Sequence, residues 1–365
     1  MKYFIIAGEA SGDLHGSHLM RSLHQQDESA AFEYWGGDKM AEVYGQPFKH
    51  ITDLAFMGFW EVAKNINTIR GNFALCKKQI ETFEPDALIL IDYPGFNLRM
   101  AEWAKKKKIT VYYYISPQLW AWKSKRIEKI KKFVDRLFVI LPFEKTYYED
   151  RNVDVSYYGH PLADIISDYR QNHQVEEREI HAIFPGSRTQ EISKILPRMI
   201  AGAERTNIDT FYISKSTSVP RSFYENLIAD HDRFQLFDGD SYELFNHSRS
   251  ALVTSGTATL ECALFDVPQV VCYYGSQLSY AIAKRLVNID YIALANLIVD
   301  EAIVCELIQQ DCNPERIQEE LIKLENSDVR ASILNGYDTL KNKLQTGEQK
   351  SVPDLIASEI IDRLN

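Results

Sequence analysis

The sequence predicts an α/β protein built as two doubly wound parallel-sheet domains. Three observations carry this. At 365 residues the chain is long enough for two domains of ordinary size, each with its own buried core. Short β-branched and aromatic runs recur along it, each closing at a glycine or a small polar cluster, with helix-period stretches between them. Residues 164–179, near the middle, are polar and charged and hold no apolar run of strand length, which divides the pattern into similar halves.

In the first half, Tyr3–Ala7 ends at Gly8, Phe32–Trp35 at Gly36, Ala87–Ile91 shortly before Gly95, and Val155–Tyr158 at Gly159. In the second, His181–Phe184 leads to Gly186, Ala251–Thr254 to Gly256, and Val270–Tyr274 to Gly275. Parallel strands buried on both faces need crossover helices, and ligands then sit outside the strands' carboxyl ends. The expected domains are 1–165 and 178–345, followed by a tail, 346–365. In that tail Leu355, Ile356, Ile360, Ile361 and Leu364 stand at helical spacing after Pro353. Such a helix must dock, either on the N-terminal domain or on a second subunit of a homodimer.

Composition removes several functions. The net charge is −10, so the whole molecule has no basic field for wrapping nucleic acid. The five cysteines form no CxxC pair and no zinc-like set with histidine, which predicts a reducing cytoplasm and no metal centre. The apolar start is cut short by Glu9 and Asp13, and no run approaches the roughly 18 apolar residues that span a bilayer. A membrane would be met from its surface only.

Four strand-to-helix junctions carry the candidate chemistry. Gly8-Glu-Ala-Ser-Gly-Asp13 lets backbone approach a ligand, but it lacks the dinucleotide fingerprint, and its carboxylates suit sugar hydroxyls better than a pyrophosphate. Ser11 and Asp13 equally suit capping. Asp92, opening DYPGFN, is placed where a general base would be needed, or else forms an Asx turn before Pro94. In FPGSR, Gly186 and Ser187 open a helix toward a phosphate and Arg188 adds a bidentate cation, unless that arginine merely pairs with Glu191. In TSGTATLE, Ser255, Gly256 and Thr257 offer hydroxyls and amides for phosphate, and Glu261 a carboxylate for ribose; ordinary capping is the alternative.

Weaker signals surround these. Asp238-Gly-Asp240 has the form of a divalent-ion triplet but reads as a solvated turn. His160 could face the crevice of Asp92 or serve the strand end structurally, and His15 is weaker still. Between Ala104 and Lys132 the local charge is +9, either a solvated face or an attraction for anionic headgroups. Phe56, Met57, Phe59 and Trp60 form an apolar cluster suited to core packing or to acyl chains and a membrane surface.

Taken in order, GEASGDLHG, MGFWEV, DYPGFN, YISPQLWAW, LPFEK, YGHPL, PGSR with Glu191, SGTATLE, LAN and ELIQ closely resemble the lipid-A-disaccharide synthases, from about Ile5 to Gln309. The resemblance implies a GT-B glycosyltransferase, two Rossmann-like domains facing a central cleft, using neither metal nor cofactor. It implies transfer from UDP-2,3-diacylglucosamine to 2,3-diacylglucosamine 1-phosphate, releasing UDP, at the cytoplasmic face of the inner membrane. By position, Asp92 matches the candidate base, with Glu9, Ser11 and Asn97 lining the acceptor side. Arg188 matches the diphosphate contact, and Glu261 and Asn296 match nucleoside contacts. Tyr93, Gly95 and Ala295 depart from the usual pattern, which bears on loop shape and acyl preference. A UDP-sugar 2-epimerase would share the helix-tip nucleotide site, and a non-catalytic adaptor could keep every binding motif.

Overall fold

The computed structural model describes residues 1–54, 66–121, 124–275, 289–345 and 350–365. The chain divides into two compact units, one of residues 1–161 with 346–365, the other of residues 162–345.

The first unit is a seven-stranded sheet: β1 (Lys2–Ala7), β2 (Ala31–Gly36), β3 (Lys49–His50), β4 (Ala87–Ile91), β5 (Thr110–Tyr114), β6 (Arg136–Val139) and β7 (Val155–Tyr157). Its order is β3-β2-β1-β4-β5-β6-β7, with every pair parallel. The second is six-stranded: β8 (Ile180–Phe184), β9 (Phe211–Ile213), β10 (Phe234–Leu236), β11 (Ser248–Thr254), β12 (Gln269–Tyr273) and β13 (Cys305–Ile308), ordered β10-β9-β8-β11-β12-β13, again all parallel. Both sheets are wound alike. The first strand is central, two more are laid outward on one side, and the chain returns to the other side of the first. This places a topological switch point between β1 and β4 in one unit and between β8 and β11 in the other, where ligands of wound sheets bind.

Period-two alternation fills both faces of the first sheet. Phe4, Ile6, Leu88, Leu90, Val111 and Tyr113 enter one core, and Tyr3, Ile5, Ile89, Ile91, Tyr112 and Tyr114 the other. The first core is closed by α3 (Ile66–Phe83), α4 (Pro94–Lys106) and α5 (Ile127–Phe133), the second by α1 (Ala10–Gln26). Two short helices, α2 (Asp38–Tyr44) and α6 (Pro142–Glu149), complete the unit's body.

The polar middle segment is not a linker throughout: α7 (Pro161–Asn172) occupies its first part and buries Leu162 and Ile166. The second unit continues with α8 (Thr189–Ala203), α9 (Arg221–Ile228), α10 (Ser241–His247), α11 (Thr257–Leu264), α12 (Leu294–Val299), α13 (Pro314–Lys323) and α14 (Ser327–Leu344). The chain then rejoins the first unit as α15 (Val352–Leu364), which packs along α1. Val352, Ile356, Ala357 and Ile360 enter the core beside Tyr3, Leu19 and Leu23. Glu359 fixes the far side of α15, meeting Arg136 Nε at 2.7 Å and Tyr158 Oη at 2.9 Å.

Candidate active site

The four sequence-predicted junctions lie at the two switch points. Ala7 pairs with Ile91, so Glu9 and Asp92 leave neighbouring strand ends. Phe184 pairs with Val253, so Arg188 and Ser255 do the same in the second unit.

At the first switch point, Asp92 and Tyr93 are both left-handed, at φ 44° and 49°. Neither is glycine, so each conformation costs about 1–3 kcal/mol and persists only where surroundings impose it. The surroundings are explicit. Asp92 N donates to Tyr114 O at 3.0 Å, while Asp92 O accepts from Tyr113 Oη at 2.6 Å and from Asn97 Nδ2 at 2.8 Å. The Tyr93 ring lies where any Cβ on Gly8 would stand, which fixes the glycine of the first motif. Burial, reinforced by the negative charges of Glu9 and Glu144, pushes the Asp92 carboxyl up to about 7, partly offset by a hydrogen bond from the Tyr93 backbone.

Glu9 occupies the N-cap of α1 without capping it and is half-buried; Ser11 is exposed one residue into the helix. Asn97 is placed differently from the expectation. It is fully buried and donates to Ile91 O at 3.1 Å as well as to Asp92 O, so it braces the strand end from behind rather than lining an acceptor. Asp13 also faces away: it accepts from Gly37 N at 2.7 Å, Lys39 N at 2.9 Å and Met40 N at 3.1 Å, capping α2. His160 is buried, and burial with the nearby His15 pushes its imidazole down to about 3, leaving a neutral ring.

At the second switch point, Ser187 and Arg188 are exposed at the start of α8. Ser187 O accepts from Ser218 Oγ at 3.0 Å, which anchors the loop. Burial pushes the Glu191 carboxyl up, and the Arg188 charge and a hydrogen bond from the Ser187 backbone partly offset this. Gly256 and Thr257 are exposed at the tip of α11; Gly256, at φ 156°, holds a backbone that favours glycine. Ser255 Oγ donates to Ile292 O at 2.9 Å. Burial pushes the Glu261 carboxyl up to about 7.

Asn296, expected as a nucleoside contact, is fully buried. Its Nδ2 donates to Val304 O and to Glu306 Oε1, both at 2.9 Å, and its Oδ1 accepts from Val304 N at 3.0 Å. Glu306 in turn accepts from Ile292 N and Ala293 N, each at 3.0 Å. Asn296 therefore braces the strand of backbone that holds Ser255.

Asp238 is ion-paired with Lys215 and Arg221, and Asp240 caps α10 by accepting from Glu243 N at 2.8 Å. The triplet is a structured turn. Among the described residues no group of three His, Cys, Asp or Glu side chains could hold a metal ion. Phe56, Met57, Phe59 and Trp60 lie outside the described residues. The basic stretch is partly neutralised from neighbouring elements: Lys105 meets Asp135, Lys107 meets Glu81 at 2.9 Å, and Lys106 and Lys129 share Glu102. One carboxylate of the first unit went unread in the sequence. Glu144 is 1% exposed beside the Asp92 strand end; its position three residues into a helix opened by Pro142 was the available signal.

Comparison with known proteins agrees with this arrangement. The solved UDP-GlcNAc 2-epimerase from Neisseria meningitidis, bound to UDP-GlcNAc, superposes with a TM-score of 0.65 at 14% identity, covering 100% of this chain and 99% of that one. The glycotransferase of kitacinnamycin gives 0.64 at 13% identity, with coverage of 100% and 99%. These establish a GT-B fold. The lipid-A-disaccharide synthase of Coxiella burnetii (strain Dugway 5J108-111) is 36% identical over 359 residues, 94% of each chain. That of Syntrophus aciditrophicus (strain SB) is 37% identical over 354 residues, 93% of this chain and 92% of its own. The profile of the lipid-A-disaccharide synthetases matches residues 3–360, and the chain belongs to that family of UDP-sugar glycosyltransferases of lipid A biosynthesis.

Proposed function

We propose that the chain transfers 2,3-diacylglucosamine from UDP-2,3-diacylglucosamine to 2,3-diacylglucosamine 1-phosphate with inversion, on the cytoplasmic face of the inner membrane. The observation that carries this is Asp92: a constrained carboxylate at a switch point, with a proton affinity near neutrality. A base is most effective when its pKa lies near the working pH. Asp92 takes the proton of the acceptor's primary hydroxyl as that oxygen attacks the anomeric carbon. The bond from that carbon to the diphosphate breaks, and its electron pair leaves with UDP. Glu9 and Ser11 hold acceptor hydroxyls. In the second unit Arg188 and the amides at Ser187 and at Ser255–Thr257 meet the charge gathering on the diphosphate, donors that need no reorganisation during the reaction. Glu261 receives the ribose hydroxyls, and no divalent ion is required.

The test is product analysis by mass spectrometry with both lipid substrates, for wild type and Asp92→Asn, with and without excess chelator. Wild type should yield the disaccharide 1-phosphate with or without chelator. Asp92→Asn should lose about 10²–10⁴ in turnover while binding UDP normally by calorimetry. Near-normal turnover in that variant excludes Asp92 as the base.

A further inference from the structure

Behind the Asp92 strand end lies a buried carboxylate that the reaction above does not use. Glu144, at the start of α6, is 1% exposed. Its Oε1 accepts from Ser116 Oγ at 2.6 Å and from Trp120 Nε1 at 3.1 Å, and its Oε2 accepts from Leu141 N at 3.1 Å and Ile140 N at 3.3 Å. All four donate to the carboxylate, an arrangement that favours its ionised form. Burial pushes this carboxyl up, and the bonds from Ser116, Leu141, Trp120 and Ile140 draw it part of the way back.

Two of these bonds are an ordinary helix-start arrangement; the other two are not. Ser116 and Trp120 belong to the segment that follows β5, the strand whose end holds Asp92 N through Tyr114 O. The same segment is clipped from α6 twice more, by Tyr148 Oη on Pro117 O at 3.2 Å and Tyr147 Oη on Leu119 O at 3.0 Å. The charged and titratable groups that act on Asp92 are Glu9 at the N-cap of α1 and Glu144 from α6 through their charge, with Tyr113 of β5 bonded to its carbonyl and Tyr93 next in the chain. Glu9 is the stronger negative neighbour of Asp92 and Glu144 the weaker, but Glu144 is the one shielded from water and held by its own set of donors.

We propose that Glu144 is a positioning residue of the transfer site, a buried anion that fastens the 116–121 segment as a wall beside Asp92 and acts on Asp92 through its charge. This rests on Asp92 being the base. An ionised base gives a rate that rises with pH, and removing a negative neighbour moves that rise to lower pH.

The experiment measures kcat/KM against pH, and the separate KM values for donor and acceptor, in wild type, Glu144→Gln, Ser116→Ala and Trp120→Phe, with circular dichroism as the check of folding. In Glu144→Gln the rising limb should move to lower pH and the acceptor KM should rise several-fold with the donor KM unchanged. Ser116→Ala and Trp120→Phe keep the charge, so they should raise the acceptor KM and leave the limb in place. A folded Glu144→Gln whose limb does not move makes Glu144 only a helix cap and overturns the proposal. If Glu144→Gln does not fold, an unchanged acceptor KM in both other variants overturns it, and a raised one upholds it. A wild-type profile without a rise near neutrality counts against Asp92 instead, a failure separate from that of Glu144.

Discussion

Asp92 is a carboxylate that the fold holds at its own expense. Its folded value of about 7 lies above the ordinary 3.8 of an aspartate, so between those values the folded chain binds a proton that the unfolded chain has lost. Stability therefore falls as pH rises through that window and levels off above it. Asp92→Asn, neutral throughout, should unfold at a higher temperature than wild type, with an advantage that grows from about pH 5 to pH 8. Thermal unfolding at both pH values checks this, and a constant difference would refute the burial argument. Asp92, Glu9, Arg188 and Ser255 stand out in the sequence as candidates because strand-end position and chemistry coincide there, and the strand ends do adjoin. Asn97 and Asn296 came from the family resemblance, and here both amides hold backbone carbonyls: an amide that could grip a ligand can equally grip the chain, and which it meets is decided by neighbours in space. Asp13 is the same case, its three donors lying 24 to 27 residues away. Glu144 was missed for that reason, since Ser116 and Trp120 lie 28 and 24 residues before it.

Helix α15 shows how an element outside the unit's continuous body becomes part of its core. Ile360 and Ala357 are fully buried and Ile356 nearly so, against side chains of β1 and α1. Ile360→Ala removes about three methylene equivalents from a packed site and should destabilise the first unit by about 2–5 kcal/mol. Urea unfolding followed through tryptophan fluorescence should show a lower midpoint, and an unchanged midpoint would mean that α15 is not held as described. The docking helix was legible from its apolar spacing, and the strands that close at glycines were legible too. Strands β9 and β6, of three and four residues, are too short for a periodic signal. The TVYYY of β5 runs straight into Ile-Ser-Pro without a turn residue to end it. In α7 the apolar stripe is reduced to Leu162 and Ile166, so a helix read as a linker.

For the molecule as a whole, charge count and charge field differ. The window from Ala104 to Lys132 holds ten basic residues and one acid, but Glu81, Glu102 and Asp135 reach in from outside it. If this face meets an anionic membrane, Lys125 and Lys132 should matter more than Lys105 and Lys107, whose charge is already countered. Each uncountered lysine near the surface contributes about 1 kcal/mol. Co-sedimentation with anionic vesicles at low salt should weaken more in Lys125→Glu/Lys132→Glu than in Lys105→Ala/Lys107→Ala, and equal effects would argue against this face. The shared winding of the two sheets has a kinetic consequence. Glu9 and Asp92 are separated by 83 residues and Arg188 and Ser255 by 67, so each half-site is closed by pairing strands across a long stretch of intervening chain. Loops of that length form slowly. A growing chain thus completes its first switch point only after β4 has joined β1 and its second only after β11 has joined β8, while fraying of the outer strands β3 and β10 breaks neither pairing.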